Sequence, residues 1–170
     1  MKTSNAKFLN KLALITAVAV AAGTGVSAQA GTQTATMELT TEVVANCTIS
    51  AAALNVSGYD PIEANKTIDF DQTGSVTVAC TKGTSAEVTF NDGLNVGRQL
   101  KNTNTTDLLD YELYSAAAGE TVWGSTQGTG KGITGTGANV IYNVFMRVLP
   151  GQTNIPAGTY TDTVTATVTF

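Results

Sequence analysis

Apolar and polar positions alternate along residues 31–45. Ala35, Met37, Leu39, Thr41 and Val43 fall on one side of an extended backbone, and Thr34, Thr36, Glu38, Thr40 and Glu42 on the other. A period of two predicts a β-strand with one buried face. Shorter β-prone runs follow at 47–50, 67–70, 75–80, 86–90, 111–114, 121–123 and 140–149, with turn-prone stretches at 55–60, 71–74 and 91–97 between them. The sharpest pattern closes the chain. Thr159, Thr161, Thr163, Thr165, Thr167 and Thr169 alternate with Tyr160, Asp162, Val164, Ala166, Val168 and Phe170, so one face is all threonine and the other mostly apolar. Chain ends fray unless something pins them, so Phe170 is expected to be buried or clamped. Nothing after residue 30 keeps a helical period for three turns. Short strands separated by turns predict an all-β sandwich of immunoglobulin-like topology.

The first thirty residues have a different character. Lys2, Lys7 and Lys11 precede the apolar run 12–22, and small residues follow with cleavage-type triplets ending at Ala28 and Ala30. This is the layout of a secretory signal peptide cleaved after Ala28 or Ala30, and its apolar run is shorter than a membrane span requires. Its removal leaves six basic against thirteen acidic residues, a net charge near −7. Such a surface disfavours nucleic acid, and no second apolar run is long enough to embed the chain in a membrane.

Composition narrows the chemistry. Charged residues make up 13% of the chain, there are about 30 threonines, and there is no histidine. That absence removes the commonest general base, the serine and cysteine triads built on histidine, and the usual zinc sites. Cys47 and Cys80 are an even pair in an exported chain, which favours a disulfide, and two ligands without histidine do not make a metal site. The glycine-rich stretch 124–137 has Ser125 and Gly132 where a phosphate loop needs Gly and Ser or Thr, so it reads as a surface loop. Asp60, Glu63, Asp69 and Asp71 lack the spacing of a calcium loop and read as solvated turn carboxylates. No cofactor and no catalytic activity are expected.

Two alternating strands at opposite ends of one small domain pose a question of pairing. If the first folds back on its own domain, the sandwich closes on itself. If it leaves, the domain keeps an open groove and each molecule carries a spare strand that fits one, which describes a polymer built by strand addition.

At this point the chain resembles a known family, the spore coat protein U domain, and within it the major subunits of archaic chaperone-usher pili of the Csu type. The matching features are Asn46-Cys47-Thr48-Ile49, Arg98-Gln99-Leu100-Lys101-Asn102, Tyr111-Glu112-Leu113-Tyr114, Trp123-Gly124 and the closing Pro156-Ala157-Gly158-Thr159-Tyr160-Thr161-Asp162-Thr163-Val164. The chain departs from the family at Phe145-Met146-Arg147, where other members often have Tyr-Gly. The resemblance implies an incomplete immunoglobulin-like sandwich completed by donor-strand exchange, in residues 42–170. It implies a periplasmic chaperone that lends a strand, an outer-membrane usher, and a fibre of copies of the chain on the bacterial surface, serving adhesion and biofilm formation. Carried onto this sequence, residues 31–41 become the donor strand, with Ala35, Met37, Leu39 and Thr41 entering a neighbour's groove. Val164, Ala166, Val168 and Phe170 would line that groove. Tyr111, Leu113, Tyr114, Trp123, Gly124, Gly158, Tyr160 and Asp162 would be structural. The rival readings are a self-complemented secreted coat or matrix protein and a receptor-binding adhesin subunit in which Tyr114 or Trp123 stacks on a sugar.

Overall fold

The computed structural model describes residues 29–95 and 97–170. Apart from Gln29 and Ala30, the expected signal peptide lies outside the described residues. The chain divides into two units, residues 1–40 and 41–170. In the first, residues 29–40 are exposed and carry no regular secondary structure. Among the described residues the second holds nine strands: β1 (Cys47–Ala51), β2 (Phe70–Cys80), β3 (Ser85–Phe90), β4 (Gln99–Asn102), β5 (Leu108–Tyr114), β6 (Lys131–Thr134), β7 (Asn139–Val148), β8 (Tyr160–Thr161) and β9 (Ala166–Thr169). They form a six-stranded sheet in the order β1-β2-β7-β5-β4-β8 and a three-stranded sheet in the order β6-β3-β9. Every pairing is antiparallel, and no helix occurs among the described residues.

Period-two burial follows the apolar pattern strand by strand. Val76 and Val78 on β2, Leu109, Tyr111 and Leu113 on β5, and Val144, Met146 and Val148 on β7 face inward from the large sheet. Ala86, Val88 and Phe90 answer them from β3. Trp123 is 0% exposed and ties the two sheets together. Its backbone N–H donates to the Leu113 carbonyl at 2.8 Å, and its indole N–H donates to the Val88 carbonyl at 2.6 Å. Its ring meets Phe90 edge-on at 4.9 Å. A buried tryptophan keeps its polar handle satisfied in this way.

A disulfide joins Cys47 to Cys80, which are directly opposed partners at one end of the β1–β2 ladder. Beside it, Thr81 holds the stretch that leads into β1. Its hydroxyl accepts the Asn46 N–H at 3.1 Å and donates to the Val44 carbonyl at 3.2 Å.

Several local expectations are corrected. Residues 31–45 form no strand, because alternation makes a strand only where a neighbouring backbone takes up the ladder hydrogen bonds. Residues 71–74, read as a turn, run inside β2, where Gly74 pairs with Val144 in a continuous register. The run 67–70 contributes only Phe70 to a strand, and 121–123 makes a single bridge between Tyr114 and Val122. The closing run 158–170 is two strands in two sheets. Phe170 is 56% exposed rather than clamped, since β9 ends at Thr169 and Val168 is the last side chain packed on the core.

The glycine-rich stretch is part strand. Lys131–Thr134 forms β6, and the turn before it wraps a carboxylate of the chain itself. Glu87 accepts the Gly128 N–H at 2.9 Å and the Gly130 N–H at 2.6 Å. A Cβ at Gly130 would fall 2.3 Å from the Val88 carbonyl oxygen, so only glycine allows the approach. The Gly128 and Gly130 amides are thereby engaged by a side chain of β3.

Candidate strand-acceptor cleft

The closing run changes sheets. β8 pairs with β4 in the large sheet, and four residues later β9 pairs with β3 in the small one. Within its sheet β9 is an edge strand, paired on one side only, and β1 is likewise an edge of the large sheet. The two edges come into contact with each other. Further along they part, and a cleft of about 460 Å³ opens between residues 51–55 on one wall and residues 162–164 on the other. Its floor is Gly74, Leu113, Val144 and Met146 of the large sheet. A second hollow of about 550 Å³ continues from it past Leu100, toward Leu109, Val148 and Tyr160.

The floor residues have a regular spacing. Val144, Met146 and Val148 succeed one another at alternate positions of β7, so the depressions between them repeat about every 6.6–6.8 Å, the side-chain pitch of an extended strand. Gly74 has no side chain to fill its own depression, and Leu54 lies over it, 3.6 Å from where a Cβ would stand. The cleft is apolar on its floor and bounded on both walls by backbone that departs from regular pairing, which is a surface shaped for an extended peptide.

Asp162 shapes the outer wall. Its carboxylate accepts the Tyr111 hydroxyl at 2.7 Å, the Leu94 N–H at 2.9 Å and its neighbour's Thr163 N–H at 2.8 Å. Burial, and then the bond to Asp162, push the Tyr111 phenol well above its ordinary range, so it stays a proton donor at any physiological pH. Three residues on, Thr165 donates its N–H to the Asn91 side chain at 2.7 Å.

The sequence-derived site residues fall into separate places. Ala35, Met37, Leu39 and Thr41 are exposed, Met37 by 82% and Leu39 by 84%. Val164 lines the cleft, while Ala166 and Val168 pack on the core from β9 and Phe170 points out past it. Tyr111 and Leu113 are buried in β5 and reach the cleft floor, whereas Tyr114 lies on the outer face beneath the Arg147 guanidinium at 5.9 Å. Gly124 accepts the Phe90 N–H, extending the Trp123 tie between sheets. Gly158 backs onto buried Asn102, leaving no room for a Cβ, and the Tyr160 hydroxyl closes the turn before it by donating to the Pro156 carbonyl at 2.8 Å. Asp60 caps its own turn by accepting the Ile62 and Glu63 N–H groups, while Asp69 and Asp71 pair with Arg147.

Other parts of the site lay outside the sequence reading. Gly74 and Leu54 carry no recognisable motif, although a glycine near a β-prone run can mark a close approach. In the sequence Arg98 stands out only as part of a motif. It is 4% exposed, with a left-handed φ of 58°, and its guanidinium pairs with Glu112 and donates to the Phe90 and Trp123 carbonyls.

Comparison with known proteins agrees with this architecture. Residues 33–167 match the family described as Spore Coat Protein U domain. "Protein U" of Myxococcus xanthus is 37% identical over 158 residues, covering 84% of this chain and 88% of the relative. A chain in the crystal structure of a CsuC-CsuE chaperone-tip adhesion subunit pre-assembly complex, from archaic chaperone-usher Csu pili of Acinetobacter baumannii, superposes with a TM-score of 0.55 at 24% identity. That match covers 75% of this chain and 40% of the solved one, and it establishes a shared fold. With the family match running through nearly all of the described residues and a curated relative aligned along most of its length, the chain belongs to the spore coat protein U domain family.

Proposed function

We propose that this chain is a structural, non-catalytic subunit of a bacterial surface fibre, joined to its neighbours by donor-strand exchange. The observation that carries this reading is the presence, in one chain, of an open cleft of about 460 Å³ lined by the residues just before edge strand β9 and of an exposed, alternating segment that has no strand partner among the described residues. Residues 1–30 serve as the export signal, 31–41 as the donor strand and 42–170 as the acceptor domain. Ala35, Met37 and Leu39 enter the cleft of the next copy past Val164, with Ala166 and Val168 packed on the core beyond it.

The solved complex with the similar fold holds a chaperone and a tip adhesion subunit of a chaperone-usher pilus. By analogy, a periplasmic chaperone covers the cleft before assembly, an outer-membrane usher exports the subunit, and the fibre serves attachment and biofilm formation. No helix among the described residues is long and apolar enough to cross a membrane.

Energetics suit a durable joint. Burying an apolar side chain contributes about 1.5–3 kcal/mol, and each ladder hydrogen bond adds about 0.5–1.5 kcal/mol. The test is electrophoresis in detergent, unheated and boiled, of the exported chain beside a version lacking residues 31–41. A ladder that collapses on boiling and is missing from the truncation supports strand exchange. A single monomer band in both refutes it. A second reading, a self-complemented coat protein, draws on the family's description, and it predicts the monomer band.

A further inference from the structure

We propose that Asp162 is the positioning residue of the strand cleft, the group that holds the closing run in its crossover so that a strand can enter. The inference rests on the donor-strand reading above and names what controls it.

A β-run that starts in one sheet ordinarily continues there. After pairing with β4 at Tyr160 and Thr161, the chain could extend along the large sheet and close over the hollow beside it. It leaves instead, and the departure occurs at Asp162. The Asp162 carboxylate reaches across to the loop between β3 and β4, where it accepts the Leu94 N–H, and down to β5, where it accepts the Tyr111 hydroxyl. The Asn95 side-chain amide adds a long contact at 3.4 Å.

Gly93 makes this possible. Its φ is +85°, and a Cβ there would fall 2.0 Å from an Asp162 carboxylate oxygen, so the loop can reach the carboxylate only with glycine at that position. The far side of the crossover is fastened to the same loop, where the backbones of Asn91 and Thr165 bond and the Asn91 side chain takes the Thr165 N–H. The wall of the cleft is therefore a short bridge pinned at both ends. The pin at the cleft end is a carboxylate whose oxygens are satisfied by a phenol and by backbone amides.

A hydrogen bond to a charged group is stronger than a neutral one, and its loss leaves a partner unsatisfied in a partly buried site. Tyr111 also lies on the cleft floor, so the pair connects the floor to the wall. Without it the crossover is free to lean inward over Val144 and Gly74. The cost then falls on entry of a strand rather than on the core, whose contacts through Trp123, Val88 and Val148 do not involve Asp162.

The experiment uses the full chain and a fluorescent synthetic peptide of residues 31–45. Peptide uptake is followed by anisotropy, and melting is measured on the same samples. Tyr111→Phe and Asp162→Ala are expected to weaken uptake about tenfold or more, the effect of one charge-assisted hydrogen bond, with melting shifted far less than uptake. Asp162→Asn keeps an oxygen for Leu94 and should fall between the unaltered chain and Asp162→Ala. Uptake by all three variants equal to that of the unaltered chain would overturn the assignment, as would losses that merely track a fall in melting temperature. Should Tyr111→Phe fail to fold, the Asp162→Asn and Asp162→Ala pair decides the matter. No uptake by the unaltered chain would overturn the strand-exchange reading itself and this inference with it, a result distinct from equal uptake.

Discussion

If residues 31–41 are the proposed donor strand, Leu39 gives the clearest separation between what holds the domain together and what joins domains. Its side chain is 84% exposed, so replacing it removes almost nothing from the folded subunit. Surface substitutions of this kind change stability by less than about 0.5 kcal/mol. In a joint, the same side chain passes from exposed to buried, a gain of about 1.5–3 kcal/mol. Leu39→Ala should therefore weaken the joint by about 10- to 150-fold while urea melting of the monomer stays where it was. Leu39→Asp should abolish the joint, since a carboxylate on the apolar floor beside Met146 and Val144 would have no partner. Thr40→Asp, one residue on and on the opposite face, is the control and should assemble normally. The assay is the fraction of subunits in the boil-sensitive ladder as a function of subunit concentration, with melting measured in parallel. Normal ladders from Leu39→Asp would refute the assignment of residues 31–41. A fall of more than about 1 kcal/mol in monomer stability would show instead that Leu39 packs on its own domain.

Three further outcomes follow from the fold. Replacing both Cys47 and Cys80 by Ala opens a loop spanning a separation of 33 residues and should lower stability by about 4 kcal/mol, read from denaturant midpoints; a loss under about 1 kcal/mol would contradict the chain-entropy account. Glu87→Gln keeps the shape but weakens the acceptor for Gly128 and Gly130, so amide exchange of those two residues should quicken while Val88 stays protected; unchanged exchange would show that the turn holds without the carboxylate. The Arg147 guanidinium beside Asp71 holds its carboxyl below the usual range. The stability from that pair is then complete above the unfolded carboxyl's pKa and lost as pH falls through the lowered folded value. Asp71 is partly exposed, so the pair is worth no more than about 1 kcal/mol, and the gap in melting between the unaltered chain and Asp71→Asn should close as pH falls below the unfolded carboxyl's range, about 4. A gap that widens with acid would reverse the sign.

How much of this was legible beforehand depends on the range of the interaction. Period-two runs such as 75–80, 86–90 and 140–149 lie in strands because alternation is local, and the same pattern marks Val76, Val78 and Val88 as core. The cysteine pair was readable from count and compartment. Pairing partners were not. Residues 31–45 alternate as cleanly as any strand, yet a strand needs a neighbour, and nothing local to Met37 or Leu39 says whether one is present. Strand β4 escaped notice because Gln99–Asn102 is short and polar, held in place by β5 and β8 rather than by its own propensity. Strand β6 was hidden by glycines whose purpose is the approach to Glu87. The sheet change at Asp162 is invisible in the threonine alternation, which continues through it without interruption. The Asp162 carboxylate at that point is engaged from 68 residues away by the Leu94 amide.

The cross-link at the entrance to β1 also governs how the molecule answers a pull. Tension on residues 29–43 meets the domain first at the Thr81 hydroxyl, which grips Val44 and Asn46, and then at Cys47. An edge strand drawn from its end normally unzips, one rung after another, at low force. Here the rung at Cys47 and Cys80 is covalent, so unzipping cannot begin from that side, and the tension passes into β2. That strand is bonded to a neighbour on both sides, with a register to β7 running from Phe70 to Ala79. Those rungs then carry the load, so one sulfur–sulfur bond keeps the β1 seam from peeling open at its first rung.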